Sequence, residues 1–188
     1  MAIKVFVDQG HNPQNPNAGA EGNGLREQDI TYAVGVALAE ILRADPNFDV
    51  LLSRNSPDEV LGNTNAQSLA ARVNAANSWG ADVFISIHVN SSSITSATGS
   101  EGYVYSSASP AFQLADDIIE GISYYTGFPA RGVFIRPSLY VLRRTAMPAT
   151  LIELGFITNP AEAAFMNEQP VLYARGIYYG LRQYYGVS

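Results

Sequence analysis

The sequence contains no cysteine, so it can form neither disulfide bonds nor thiolate metal ligands. Charged residues are scarce, 15% against a usual ~25%, and the formal net charge is −6. There is no cluster of Lys and Arg, which argues against a nucleic-acid partner because phosphate binding needs such clusters. No apolar run approaches the ~18 residues that a membrane span requires. The N-terminus also lacks the residue order of a signal peptide, so we expect a protein made without a leader or a trimmed domain.

The residues that are present predict one domain with a sizeable core. The chain has 188 residues, 47% of them apolar, and we expect residues 1–188 to fold as a single domain. Short apolar runs between turn-forming residues predict its strands. The predicted strands are Ile3–Asp8, Asp49–Ser53, Val83–Val89, Gly102–Tyr105, Tyr140–Arg143 and Ala149–Glu153.

Helical patterns lie between these strands. Apolar residues recur at a 3.6-residue period from Leu25 to Arg43, and further stripes predict helices over about Gln67–Trp79 and Pro170–Tyr184. Ser109-Pro110 and Asn159-Pro160 are typical helix starts, a capping residue followed by a proline. Strands that alternate with helices predict an α/β fold of three layers. In it, a twisted, mostly parallel six-stranded sheet is flanked by helices on both faces.

The only two histidines and one glutamate lie where predicted strands end. His11 follows the first strand, His88 closes VFISIHVN, and Glu153 lies in ATLIELGF. Ionisable side chains are avoided in buried strands unless they are paired or bind a metal. Since ligands of open α/β sheets bind beyond the carboxyl ends of the strands, we expect these residues to share one site. Taken singly, a histidine in an apolar strand is more often a core residue, and a loop histidine is usually solvated.

A metal site with an open position needs a third ligand beside the two histidines. Two His and one Glu, with water in the remaining position, is a known catalytic arrangement for zinc. The first turn of the helix after His11 points back to the same sheet edge, and Glu27 in GNGLREQDI is the candidate there. Asp29 and Glu21 are lesser candidates. The helix dipole also favours an acid in the first turn of any helix, which is the structural explanation of Glu27.

Two interpretations of Glu153 are open. It is either a buried carboxylate paired with an arginine such as Arg143 or Arg72, or a general base that deprotonates a water at the metal and passes the proton to a leaving amine. Asp8 has two interpretations as well, because it can orient a histidine through its ring N–H or shape the turn after the first strand. Asn90 can contact substrate or cap the end of its strand.

Several segments together resemble one enzyme family over essentially the whole chain. These segments are VDQGH, GLRE, ARVNAAN, SIHVN, RGVF and LYVLRRTAMPATLIELGFITNP. They resemble the zinc-dependent N-acetylmuramoyl-L-alanine amidases of bacterial cell walls, the amidase 3 group. The resemblance implies a single catalytic domain with one zinc ion bound by His11, Glu27 and His88, and with Glu153 as catalytic residue. It implies peptidoglycan muramyl peptides as substrates and hydrolysis of the amide between the lactyl group of N-acetylmuramic acid and L-alanine. We therefore expect a cell-wall or extracellular enzyme of a bacterium, or a phage lysin.

The sequence departs from the family pattern in two places. Asp8-Gln9-Gly10-His11 replaces the usual DPGH or DAGH, which should alter the turn and keep the ligand. The stretch 106–132 is short, whereas some family members carry there a long insertion with a helix that blocks the zinc. No wall-binding repeat is visible, so the sequence resembles a bare catalytic domain, and a wall-targeting module or an activator that it does not show is a possible partner. Two alternatives are an inactive homologue that binds or regulates peptidoglycan, and a zinc carboxypeptidase that acts on stem peptides.

Overall fold

The computed structural model describes residues 1–187 as one α/β architecture with eight strands and six helices. The strands are β1 (Ile3–Gln9), β2 (Glu21–Gly22), β3 (Leu25–Arg26), β4 (Phe48–Leu52), β5 (Val83–Asn90), β6 (Ser100–Val104), β7 (Ala130–Ile135) and β8 (Ala149–Phe156). The helices are α1 (Glu27–Arg43), α2 (Asn65–Trp79), α3 (Ala111–Thr126), α4 (Tyr140–Arg144), α5 (Pro160–Glu168) and α6 (Pro170–Tyr185).

Six of the strands form one sheet, in the order β4-β1-β5-β8-β6-β7. Neighbouring strands are parallel except for β6 and β8, which are antiparallel. The two short strands β2 and β3 pair with each other in a separate antiparallel ladder just before α1. The prediction of a mostly parallel six-stranded sheet is confirmed.

Helices cover both faces of this sheet, as predicted. On one face the core includes fully buried residues of α1, α3 and α6, such as Leu38, Ile118 and Ile177. On the other face α2 and α4 pack over a smaller cluster that contains Val73 and Leu142. Side chains of a strand alternate between the two faces. The face under α2 and α4 therefore receives every second residue of β8, including Glu153.

Local sequence explains where two of the helices begin. The Thr64 hydroxyl accepts a hydrogen bond from the backbone N–H of Gln67 and caps α2. The Asn159 side chain accepts from Ala161 and Glu162 at the start of α5, where proline occupies the first helical position. These starts agree with the predicted ones to within two residues. Glu27, placed by sequence in the first turn of a helix, is the first residue of α1.

One predicted strand is wrong. Tyr140–Arg143 lies in helix α4, and the sixth strand of the sheet is β7, in a segment for which no strand is predicted. A run of four residues is too short for periodicity to separate strand from helix. Here Val141 and Leu142 are both buried, as neighbours on one side of a helix can be. Strand β7 forms the edge of the sheet, and none of its residues is buried. Its sequence therefore lacks a clear alternation of apolar residues, and Gly132, at φ 115°, interrupts it further.

Within residues 1–187, no helix combines the length and the apolar character that crossing a membrane demands.

Candidate metal centre and active site

Three side chains with metal-binding atoms converge at the carboxyl ends of β1 and β5. One donor atom from each of His11, Glu27 and His88 lies within 4.8 Å of the others. Glu27 Oε1 is 3.1 Å from His11 Nε2 and 3.0 Å from His88 Nδ1. The structure thus brings together the three residues that sequence selected from different parts of the chain.

The backbone around His11 and His88 is shaped for close approach. His11 has φ 67°, a left-handed conformation, directly after Gly10. A Cβ atom at Gly10 would lie 2.7 Å from the His88 ring, so only glycine lets the β1 turn pass this imidazole. Gly19 has the same role beside Glu27, because a Cβ there would lie 2.8 Å from the carboxylate. The turn at Gly10 and the loop at Gly19 therefore pack directly against the side chains of the three donor residues.

Glu27 is held by backbone donors in addition to the histidines. Its Oε1 accepts a hydrogen bond from the Val89 N–H at 2.9 Å, and its Oε2 accepts from the Ala20 N–H at 2.8 Å. Burial alone would raise the pKa of this carboxyl, but hydrogen bonds and charge from His11 and His88 outweigh burial and hold the pKa well below its usual range. Glu27 is therefore ionised, the form in which a carboxylate binds a metal.

The lesser candidates for third ligand lie elsewhere. Asp29 pairs with Arg26 at 2.7 Å on the surface, and 54% of its side chain is exposed. Glu21 is exposed in β2. Neither belongs to the converging group.

The donor set fits a metal ion with an open coordination position. Imidazole nitrogen and carboxylate oxygen are both zinc ligands, and bonds of about 2.0–2.1 Å in a tetrahedron would set ligand atoms roughly 3.3 Å apart. The separations of 3.0 and 3.1 Å around Glu27 Oε1 are close to that value. Two imidazole nitrogens face the same carboxylate oxygen, an arrangement that a shared cation stabilises without requiring a proton on each nitrogen. His11, Glu27 and His88 could therefore hold a metal ion.

Glu153 lies directly beside this group. In the sheet it is paired with His88 of β5 on one side and with Glu101 of β6 on the other. Its Oε2 is buried and has no hydrogen-bond partner within the described chain. Burial, and then the negative charges of Glu27 and Glu101, raise the pKa of Glu153 well above its usual value. An unpaired carboxyl with a raised pKa next to side chains that could hold a metal ion is a candidate for proton transfer.

Neither of the two arginines that the structural interpretation named for Glu153 pairs with it. Arg143 is exposed on α4. Arg72 forms a buried pair with Asp8 at 2.5 Å instead.

Asp8 shapes the turn that carries His11, the second of its two interpretations. It accepts hydrogen bonds from Arg72 and from the Ser86 hydroxyl, and none of its hydrogen bonds goes to a histidine. Burial would raise the pKa of Asp8, but Arg72 and Ser86 together lower it. The same guanidinium donates to the carbonyl oxygens of Gln9 at 2.6 Å and His11 at 2.5 Å. The Asp8–Arg72 pair therefore ties helix α2 to the turn between β1 and His11.

Sequence reasoning missed a polar network on the far side of Glu153. Tyr103 donates a hydrogen bond of 2.6 Å to Glu101 Oε2, and Arg131 pairs with Oε1 at 2.6 Å. Asn90 donates to Glu101 at 3.3 Å, so it contacts this network at the end of β5. The signal was present in the two-residue spacing of Glu101 and Tyr103, which places both on the same face as Glu153.

Comparison with known proteins places the chain in one family. A family model described as N-acetylmuramoyl-L-alanine amidase matches residues 5–183. CwlM, an N-acetylmuramoyl-L-alanine amidase of Bacillus licheniformis, is 38% identical over 190 residues, which cover 99% of this chain and 70% of CwlM. The catalytic domain of CwlV from Bacillus (Paenibacillus) polymyxa is 32% identical with a TM-score of 0.85, and 99% of each chain is covered. An N-acetylmuramoyl-L-alanine amidase from Clostridium difficile 630 is 30% identical with a TM-score of 0.87, covering 100% of this chain and 98% of that one.

Proposed function

Because this chain belongs to the N-acetylmuramoyl-L-alanine amidase family, we propose that it hydrolyses the amide between the lactyl group of N-acetylmuramic acid and the L-alanine of the stem peptide in peptidoglycan. The observation that carries the proposal is one cluster of His11, Glu27 and His88 with the unpaired Glu153 beside it. Amide hydrolysis needs a Lewis acid that polarises the carbonyl group and a side chain that transfers a proton. His11, Glu27 and His88 could hold a metal ion for the first role, and Glu153 could take the second.

The proposed cofactor is one zinc ion held by His11, Glu27 and His88. Two histidines, one glutamate and an open position form a donor set that catalytic zinc uses, and the chain has no cysteine that would complete a closed structural site. Bound zinc would lower the pKa of water to about 7 and polarise the amide carbonyl. The chain supplies the positions of the donors, through the backbone hydrogen bonds to Glu27 and the Asp8–Arg72 pair behind His11.

Glu153 is the proposed general base. Its carboxylate accepts a proton from the attacking water and then gives it to the leaving amine of L-alanine. A carboxyl whose pKa is raised holds that proton between the two steps better than an ordinary glutamate does. A positioned acid–base group contributes ~10²–10⁴-fold to a rate. The buried and unbonded Oε2 leaves the carboxylate available for this work.

The two alternatives find less support in the site. An inactive homologue would be expected to lack one of the four residues, and here His11, Glu27, His88 and Glu153 are all in place. A carboxypeptidase needs a cation for the terminal carboxylate of its substrate. Arg72, which lines the cavity beside the cluster, is already neutralised by Asp8, and Arg131 on the far side of Glu153 pairs with Glu101.

We propose that the enzyme acts on the bacterial cell wall and needs no activator for basal activity. The helix α3 fills most of the stretch 106–132, and its inward side chains are packed in the core on the sheet face opposite α2 and α4. Nothing from that helix therefore covers the donor cluster. A wall-targeting module or an activating partner would act in addition, by bringing the domain to its substrate.

The experiment that tests this function uses a soluble muramyl peptide and the purified protein. We expect release of a stem peptide with a free L-alanine amine, loss of that activity in a chelator, and its return when one equivalent of zinc is added. Glu162→Gln, the same change at a buried carboxylate outside the donor cluster, serves as a control for general damage. Release that continues in the chelator would contradict the metal mechanism.

A further inference from the structure

The hydrogen-bond ladder between β1 and β5 ends beside the donor cluster, where side chains of α1 continue it. The Gly10 N–H still donates to the Ile87 carbonyl at 3.0 Å. In a parallel ladder the next bond would join the Val89 N–H to the Gly10 carbonyl. Here each group is paired with a side chain of α1 instead. The Val89 N–H donates to Glu27 Oε1 at 2.9 Å, and the Gly10 carbonyl accepts from the Thr31 hydroxyl at 2.8 Å.

Thr31 links two segments that each provide a donor residue. Glu27 and Thr31 are four residues apart, so they lie on one face of α1. A threonine hydroxyl inside a helix often donates to a carbonyl of its own helix. Thr31 is fully buried and lies only 3.4 Å from the Gln28 carbonyl, but its shorter bond goes to the residue immediately before His11. The helix that begins with Glu27 is thereby joined to the turn that carries His11.

The backbone of His11 has a conformation that its surroundings must support. Its φ of 67° is left-handed, and residues other than glycine persist there where neighbouring groups fix them. The angles φ and ψ set the planes of the peptide groups before and after the residue. Thr31 holds the carbonyl of the preceding peptide group, and Arg72 holds the carbonyl of the following one at 2.5 Å. Two buried side chains therefore fix both peptide planes beside His11.

The direction of the His11 ring depends on this backbone. Its Nε2 lies 3.1 Å from Glu27 Oε1, on the side of the donor cluster. A metal-binding histidine is usually oriented by a hydrogen bond from its other ring nitrogen. Within residues 1–187, His11 Nδ1 is buried and has no hydrogen-bond partner. The ring is therefore aimed by the backbone that carries it, and the groups that hold that backbone control its position.

We propose that Thr31 is a positioning residue for the metal site. Its hydroxyl acts through the Gly10 carbonyl and keeps the His11 ring aligned with Glu27. The inference rests on the proposed function, because it assigns Thr31 to the support of the proposed zinc ion. Thr31 is not one of the donor residues, so its loss leaves all three of them in place. Removing the hydroxyl should weaken zinc binding and not merely lower the stability of the domain.

The test compares variants by their affinity for zinc. Thr31→Val keeps the shape of the side chain and removes the hydroxyl, whereas Thr31→Ser keeps the hydroxyl. Thr31→Ala is a milder form of the same loss, because it leaves room for a water molecule at the Gly10 carbonyl. Thr150→Val is the matched control, since Thr150 is equally buried and donates to the Tyr103 carbonyl at 3.2 Å. Competition with a chelating indicator gives the dissociation constant for zinc, and calorimetry gives the melting temperature of each metal-free variant.

We expect Thr31→Val to weaken zinc binding by about 10–100-fold, the range typical of residues that orient metal ligands. Thr31→Ala should change the affinity in the same direction, and Thr31→Ser should bind zinc as wild type does. Thr150→Val should lower the melting temperature and leave the zinc affinity unchanged.

Folded Thr31→Val or Thr31→Ala that binds zinc as tightly as wild type would overturn the inference, whatever its melting temperature. Weak zinc binding by folded Thr31→Ser would overturn it as well, because the hydroxyl would then not be the group that matters. Wild type that binds no zinc would refute the proposed cofactor together with this inference. Wild type that binds zinc and cleaves no muramyl peptide would refute the proposed function alone.

Discussion

Replacing Glu153 with glutamine separates a catalytic role from a structural one. The change keeps the size of the side chain and removes its proton acceptor. Its Oε2 accepts no hydrogen bond within the described chain, so no donor there loses its partner. Burial and two neighbouring carboxylates make the ionised form costly, and a neutral amide removes that cost. We therefore expect zinc content and melting temperature to be equal to wild type or slightly higher, with turnover lower by ~10²-fold or more.

The matched control is Glu162→Gln, the same substitution at a carboxylate with a different environment. Glu162 is fully buried, and its two oxygens accept hydrogen bonds from the N–H groups of Gly99 at 2.6 Å and Phe156 at 2.8 Å. An amide points a donor at one of these N–H groups and leaves it unpaired, which costs about 1–3 kcal/mol. In a domain of this size that lowers the melting temperature by roughly 3–10 °C. Turnover per folded molecule should stay near that of wild type.

The assay compares the two variants by three measurements: zinc content by metal analysis, unfolding by calorimetry, and turnover of a soluble muramyl peptide. The expected pattern is a catalytic loss without a stability loss at Glu153, and the reverse at Glu162. Near-normal turnover of Glu153→Gln with full zinc would refute the general-base role. A large drop in the melting temperature of Glu153→Gln would instead indicate that Glu153 has a structural role.

The remaining predictions concern the metal, the turn and regulation. His88→Ala should lose most of its zinc in metal analysis, and stoichiometric zinc in that variant would remove His88 from the ligand set. Asp8→Ala should lower the free energy of unfolding of the metal-free protein by about 3–5 kcal/mol in urea titrations, because it leaves the buried Arg72 uncompensated; a change below 1 kcal/mol would contradict the pairing. Folding lowers the pKa of Asp8, so ionised Asp8 stabilises the folded protein at pH values above its unfolded pKa of about 3.9. This stabilisation is lost as the pH falls below about 3.9. The urea midpoint of Asp8→Asn should therefore depend less on pH in the acid range. Pure zinc-loaded protein should cleave a soluble muramyl peptide without an added partner, and a protein that stays inert until a partner is supplied would refute the proposal of activator-free activity.

The donor cluster could be predicted from sequence because ionisable side chains are unusual at the ends of apolar strands. His88 and Glu153 are ionisable residues in strands that are otherwise apolar, and parallel strands bring their carboxyl ends to one sheet edge. Glu27 followed from the direction of the helix after His11. These inferences need only strand ends and helix starts, which the sequence marks well.

The polar contacts behind the cluster could not be predicted in the same way. Asp8 and Arg72 are 64 positions apart, and their pairing depends on how α2 crosses the sheet. The network around Glu101 depends on β6 lying antiparallel beside β8, an exception within a mostly parallel sheet. The error at Tyr140–Arg143 has a similar origin, because a four-residue apolar run takes its conformation from packing on α2 and β8.

The bond that is cleaved is tested most directly by mass spectrometry of peptidoglycan digested with the purified protein. The proposed function predicts free stem peptides that begin with L-alanine, together with glycan strands that gain no new reducing ends. It also predicts that the rate of stem-peptide release falls by ~10²-fold or more with Glu153→Gln, and that release stops in the presence of a chelator. New reducing ends would contradict it, and so would stem peptides that are shortened within their sequence while still attached to the lactyl group.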